Sequence, residues 1–277
     1  MIVRLDYKTE INPSIILKEE SKVIDFAHAT KLPYEIITKR LNIPNSDQSR
    51  YDNWYSIMHE SYYFKNRTYL QNIINELLGV LLSKYMGFAS IEYELATLNG
   101  SIIGLLSKNF RKDNTKYLYA TELKKRDHKI IAYYLTAKES ILNLEYKREL
   151  YNYIMRLYYA ASFDLTINVL CERRGFIPHL STLFDYEKSL MDTEEDAIYD
   201  PFVDMYIMGK KIKTILDNNP SMETSINKVL EFNMNDSLSS IEDTYNISIP
   251  DDVKEKYLEY DKLRKEFIEE KIYKRIP

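Results

Sequence analysis

Apolar and polar positions along the chain change period several times. Residues 1–50 hold no sustained period, although Val23 to Leu41 reads as helical with a break or restart at Pro33. Trp54-Tyr55-Ser56-Ile57-Met58 is a short aromatic and β-branched run that predicts a strand. Leu70, Ile73, Ile74, Leu77, Leu78, Leu81, Leu82 and Tyr85 then recur at i, i+3, i+4 spacing, which predicts a helix opening at Thr68 and capped by Gly87. Ile91, Tyr93 and Leu95 alternate with Glu92, Glu94 and Ala96 as a strand does, and Asn99-Gly100 is a hairpin turn that returns Ser101 to Phe110 as its partner.

From Thr121 onward the pattern is mostly helical. Leu150, Tyr153, Ile154, Leu157, Tyr158 and Ala161 form one apolar face, while Val169 to Cys171 and Phe176 to Leu180 read as two short strands joined at residues 172–175. Asp192 to Asp196 is an acidic loop. A last helix begins near Pro250-Asp251-Asp252, where proline and acids suit a first turn, and turns Val253, Tyr257, Leu263, Phe267 and Ile268 inward. These elements make an α+β chain: a small sheet-bearing N-lobe over residues 1–115, then a larger helical C-lobe over 116–277 with a small hairpin near 168–185.

Composition narrows the chemistry. Glycine occurs only 6 times, and no glycine-rich phosphate loop is present. One cysteine, Cys171, excludes an intramolecular disulfide, and the scattered histidines His28, His59, His128 and His179 exclude a structural zinc site as the default. No apolar run is long enough for a membrane span, and the charged start lacks a signal-peptide core, so a cytoplasmic protein is expected. A net charge of -4 counts against a duplex-binding protein. The 25 tyrosines read as packing residues before they read as a stacking surface. The basic run Lys124-Lys125-Arg126-Asp127-His128-Lys129 reads as a solvated face.

Several segments, in this order, resemble the HipA-like kinases: Ile74-Asn75-Glu76-Leu77; Leu82 through Phe88; Tyr93-Glu94-Leu95; Leu106-Ser107-Lys108-Asn109-Phe110; then Asn168, the hairpin to His179, and Leu183-Phe184-Asp185-Tyr186-Glu187-Lys188-Ser189. The resemblance covers roughly residues 52–200 and implies a two-lobed protein-kinase-like fold. Phosphoryl transfer in such a fold needs a lysine on the nucleotide phosphates, a helix glutamate to orient it, an aspartate for the nucleophile, and an Asn and an Asp on magnesium.

By this resemblance Glu76 is the helix glutamate, Asn168 and Asp185 are the magnesium ligands, and ATP and Mg2+ are the implied cofactors. The residues alone also allow Glu76 as a solvated helix glutamate, Asn168 as a turn residue and Asp185 as a helix N-cap, although Asp185, after the apolar Leu183-Phe184 pair just beyond a hairpin, is also suitably placed for a hard-cation ligand. Asp164 is the candidate base, but it lies one residue out of the family's register, and the Arg-His pair beside that base is missing. The phosphate lysine is the largest departure. His59 stands where the first strand should end in lysine, and a neutral imidazole is a poor phosphate cation. Lys65 is expected in a loop past that strand, and Lys108 closes the hairpin as a second candidate cation.

Three readings follow. The first is a degenerate kinase fold acting as a nucleotide-binding or protein-binding regulator, of the stress or phage-defence type that toxin–antitoxin relatives imply, with a protein partner. The second is an active, divergent ATP- and Mg2+-dependent Ser/Thr protein kinase. The third is a helical nucleic-acid-associated protein, against which the net charge counts.

Overall fold

The computed structural model describes residues 24–25, 29–31, 53–66, 69–98, 102–110, 117–119, 123–137, 140, 142–160, 170–174, 177–183, 206–207, 210–211 and 222–271. Its centre is a six-stranded sheet in the order β1-β5-β6-β4-β3-β2. The strands are β1 (Ile24–Asp25), β2 (Thr30–Lys31), β3 (Trp54–Ile57), β4 (Glu60–Asn66), β5 (Tyr93–Leu98) and β6 (Ile102–Lys108). All neighbours pair antiparallel except β1, which lies parallel to β5.

Two sequence expectations are corrected here. Within the stretch expected to be helical, Ile24–Asp25 and Thr30–Lys31 are edge strands, because β5 and β3 offer them open ladders that a local helix period does not register. Lys65 sits not in a loop but on β4. Ile57 pairs with Glu60, so only Met58 and His59 form the turn, both at positive φ (49° and 70°). That is a two-residue hairpin turn built without the Gly or Asn that usually announces one.

Helix α1 (Leu70–Tyr85) lies on one face of this sheet. Leu70, Ile73, Ile74, Leu77 and Leu78 pack with Tyr93, Leu95 and Leu105. The helix is buried on more than its apolar stripe, since Gln71, Asn75, Glu76 and Ser83 are buried too. A helix enclosed on several sides needs a second layer. The C-terminal helices supply it: α4 (Glu223–Leu230), α5 (Met234–Tyr245) and α6 (Asp251–Lys271) share the α1 core through Ile226, Leu238, Ile241, Val253 and Tyr257. Gly87 closes α1 at φ +92°, with Gly87 N donating to Lys84 O and Phe88 N to Ser83 O. These are the paired bonds of a left-handed helix cap.

Helices α2 (Lys125–Thr136) and α3 (Leu144–Ala160) extend the same core, with a three-stranded sheet β7-β8-β9 beside them. Its strands are β7 (Tyr117–Tyr119), β8 (Leu170–Arg174) and β9 (Ile177–Leu180). A last hairpin pairs β10 (Tyr206–Ile207) with β11 (Lys210–Lys211). Strand β8 runs through Arg174, further than the turn expected from residue 172, and β7 carries no apolar alternation to announce it. The Asn99-Gly100 turn and the acidic loop at 192–196 lie outside the described residues. Among the described residues no helix is long and apolar enough to cross a membrane.

Burial sets a pH limit on this core. It pushes the Cys171 thiol up to about 12, reinforced by Glu149 and Asp127, and the Tyr245 phenol up to about 12, reinforced by Glu92 and Glu94. Both folded values lie above the unfolded ones, so the neutral forms stabilise the fold fully at neutral pH. That stability is lost as pH rises through the window from about 9 to about 12, by at most about 1.4 kcal/mol per group per pH unit. Urea midpoints should therefore fall steadily from pH 9 upward. In the native state Cys171 should resist alkylation at pH 8 and react only on unfolding.

Candidate functional site

Three side chains from three elements meet between the sheet and α1. The register aligns Lys65 on β4, Leu105 on β6 and Leu95 on β5 in one row across the sheet, on the face that packs against α1. The Lys65 ammonium reaches the Glu76 carboxylate on α1, with Nζ donating to Oε1 at 2.5 Å. Lys65 is 8% exposed and Glu76 0%. The second carboxylate oxygen accepts a hydrogen bond from the Tyr93 hydroxyl on β5 at 2.8 Å. The Lys65 ammonium also stands 5.9 Å from the centre of the Tyr93 ring.

A buried ion pair of this kind adds little net stability, because desolvating both charges costs about as much as their attraction returns. The geometry fixes the ammonium between the strand that carries it and the helix carboxylate that it meets.

The other expected residues stand elsewhere. His59 is exposed at the tip of the β3–β4 hairpin. Lys108 pairs with Tyr62 in register, which puts it on the face of the sheet opposite Lys65, with Leu106 and Phe64. It is 57% exposed and salt-bridged to Glu60 at 2.9 Å, a hydrogen bond that raises its pKa. The structure therefore joins Glu76 to Lys65 and brings neither His59 nor Lys108 to it. Asp164, Asn168 and Asp185 lie outside the described residues. The described chain nearest to Asp185 is Leu183, whose N donates to Ala89 O and whose O accepts from Ile91 N and from the Ser90 hydroxyl. These bonds fasten Leu183 to the segment between α1 and β5, the two elements that carry Glu76 and Tyr93.

Two further polar clusters are structural in form. Glu149 on α3 accepts from Leu180 N and pairs with His179 Nδ1 at 2.9 Å, pinning β9 to the helix. In the basic run at the start of α2, Asp127 is buried and accepts from Lys124 N, while Lys124, Lys125, Arg126 and Lys129 are exposed. Among the described residues no three His, Cys, Asp or Glu side chains gather as a metal site requires.

No family model matches the chain, and no curated protein matches it in sequence. Solved structures do. The proinflammatory kinase CtkA of Helicobacter pylori superposes with a TM-score of 0.59 at 15% identity, over 92% of this chain and 96% of that one. HipA of the Shewanella oneidensis MR-1 toxin–antitoxin system, solved with HipB and operator DNA, superposes with a TM-score of 0.52 at 10% identity, over 94% of this chain and 75% of that one. At these identities the likeness is one of fold: the chain has a HipA-like kinase fold, as the resemblance in its sequence implied.

Proposed function

We propose that this protein is an ATP- and Mg2+-dependent phosphotransferase, with Lys65 as the residue that holds the nucleotide phosphates and Glu76 as the residue that orients it. The observation that carries this reading is the buried Lys65–Glu76 pair between a sheet strand and the helix that follows it, within a kinase-like fold. A strand lysine paired with the helix glutamate is the arrangement that the resemblance implies, and it favours an active enzyme over a degenerate fold. Lys65 supplies the cation from the sheet itself, so no glycine-rich loop is needed to deliver it.

In this reading Lys65 donates to the phosphate oxygens while Glu76 keeps the ammonium from swinging away. Asn168 and Asp185 would hold Mg2+, which when bound offsets charge on the phosphates. Asp164 would accept the proton of the attacking hydroxyl. A protein Ser or Thr hydroxyl is the acceptor class that the family resemblance favours, and a protein partner follows from it.

Transfer of labelled γ-phosphate from Mg·ATP, read as autophosphorylation or on a general protein substrate, tests this. Incorporation by the wild type should fall by about a hundredfold or more in Lys65→Met and in Asp185→Ala. A wild type that binds Mg·ATP yet transfers nothing, even at high enzyme concentration, would return the chain to the regulatory reading. A folded wild type that neither binds nor transfers would remove both.

A further inference from the structure

The Lys65–Glu76 pair is fastened by residues far along the chain. Tyr245, near the end of α5, donates its hydroxyl to the backbone carbonyl of Tyr93 at 2.8 Å. Tyr93 in turn holds Glu76 through its own hydroxyl. Tyr257 on α6 donates to Asn75 Oδ1 at 2.7 Å, and its hydroxyl lies 3.4 Å from Gln71 O one turn earlier. Asn75 is the immediate neighbour of Glu76, and both are completely buried. The last two helices therefore grip both elements that meet at the pair: strand β5 through Tyr245, and helix α1 through Tyr257.

Packing alone would not require these contacts. Phenylalanine would fill the same volume at 93, 245 or 257 without a hydroxyl to satisfy. Each hydroxyl instead finds its partner on Glu76, on its neighbour Asn75, or on Tyr93, which holds the Glu76 carboxylate. A buried hydrogen bond constrains direction, which area burial does not. The helix that carries an orienting glutamate must keep its rotation about its own axis, because one residue of slip turns the carboxylate by about 100°.

We propose that α5 and α6 act as a positioning brace for the phosphate-holding pair, with Tyr93, Tyr245 and Tyr257 as its positioning residues. The brace rests on the phosphotransferase reading of Lys65 and Glu76, and it makes the C-terminal helices a determinant of nucleotide affinity although they supply no group to the nucleotide. Anything that displaces residues 234–271 would then act on the site.

Tyr257→Phe and Tyr93→Phe test this, with Tyr245→Phe as the replacement should Tyr257→Phe fail to fold. Mg·ATP affinity should fall about fivefold in each, the effect of losing one buried hydrogen bond. In a Glu76→Gln background the Tyr93→Phe effect should shrink or vanish, since Tyr93 acts through that carboxylate. Amide exchange over residues 72–80 should quicken in each variant, with α2 as the unchanged control. Unchanged affinity with unchanged exchange over 72–80 would overturn the brace, and so would a Tyr93→Phe effect fully additive with Glu76→Gln. Should the folded wild type bind no nucleotide, the phosphotransferase reading falls separately, and exchange alone then decides whether the helices hold Glu76.

Discussion

Lys65→Met will lower the melting temperature on the order of 10 °C and sharply reduce stabilisation by Mg·ATP. The methionine matches the length of the lysine stem, so the change isolates the charge. It leaves Glu76, which is 0% exposed, without its cation. Removing one partner of a buried pair costs about 3–5 kcal/mol, because the remaining charge is uncompensated. In a chain of this size each kcal/mol moves the midpoint by a few degrees. Calorimetry on the wild type and the variant checks the shift. Lys65→Met with Glu76→Gln should recover most of the lost stability, since Tyr93 can still donate to the amide oxygen, while nucleotide stabilisation stays reduced. Stability restored while binding stays weak separates the structural part of the pair from its chemical part.

Gly104→Ala will be nearly as damaging, although it touches no charged group. Gly104 lies on β6 opposite Asn66 on one side and Ala96 on the other. A Cβ there would stand 2.2 Å from the backbone carbonyl oxygen of Lys65 and 2.7 Å from the Phe64 ring. A carbonyl cannot rotate away as a side chain can, so β4 must shift, and Lys65 shifts with it. Overpacking of this kind costs about 3 kcal/mol. Denaturant midpoints should fall accordingly, and Mg·ATP affinity should drop in whatever fraction stays folded. A Gly104→Ala variant with wild-type stability would mean that β4 and β6 are not packed as described.

Much of the fold was legible in the sequence because several elements carry clean periods. The stripe from Leu70 to Tyr85 with Gly87 beyond it, the alternation around Tyr93, and the acidic start near Asp251 each correspond to an observed element. The misreadings share a cause. β4 has aromatics on both faces, with Tyr62 and Phe64 on one and Tyr63 beside Lys65 on the other, so no polar alternation marks it. Its turn is Met58-His59, which no turn preference flags. Without that hairpin the sequence pattern ends the strand near His59 and leaves Lys65 in a loop, whereas Lys65 lies on β4.

Glu76 stands out in the sequence because its helix is strongly periodic, and the structure shows it buried and paired with Lys65. Its partner was missed because a buried lysine at the end of an aromatic run has no sequence period. The usable signal was Tyr62-Tyr63-Phe64, a run of strand-forming residues directly before Lys65 and eleven residues ahead of Glu76. The tyrosine brace had no local signature at all. Tyr245 and Tyr257 lie more than 150 residues from the groups they hold, and only the fold brings them together.

The account turns on Lys65 as a phosphate-holding cation, and equilibrium titration of Mg·ATP into the wild type and Lys65→Met tests it most directly. Saturable binding by the wild type, weakened about 10- to 100-fold in the variant, is the predicted result. Equal affinity in the two proteins, or no binding by a folded wild type, would contradict it.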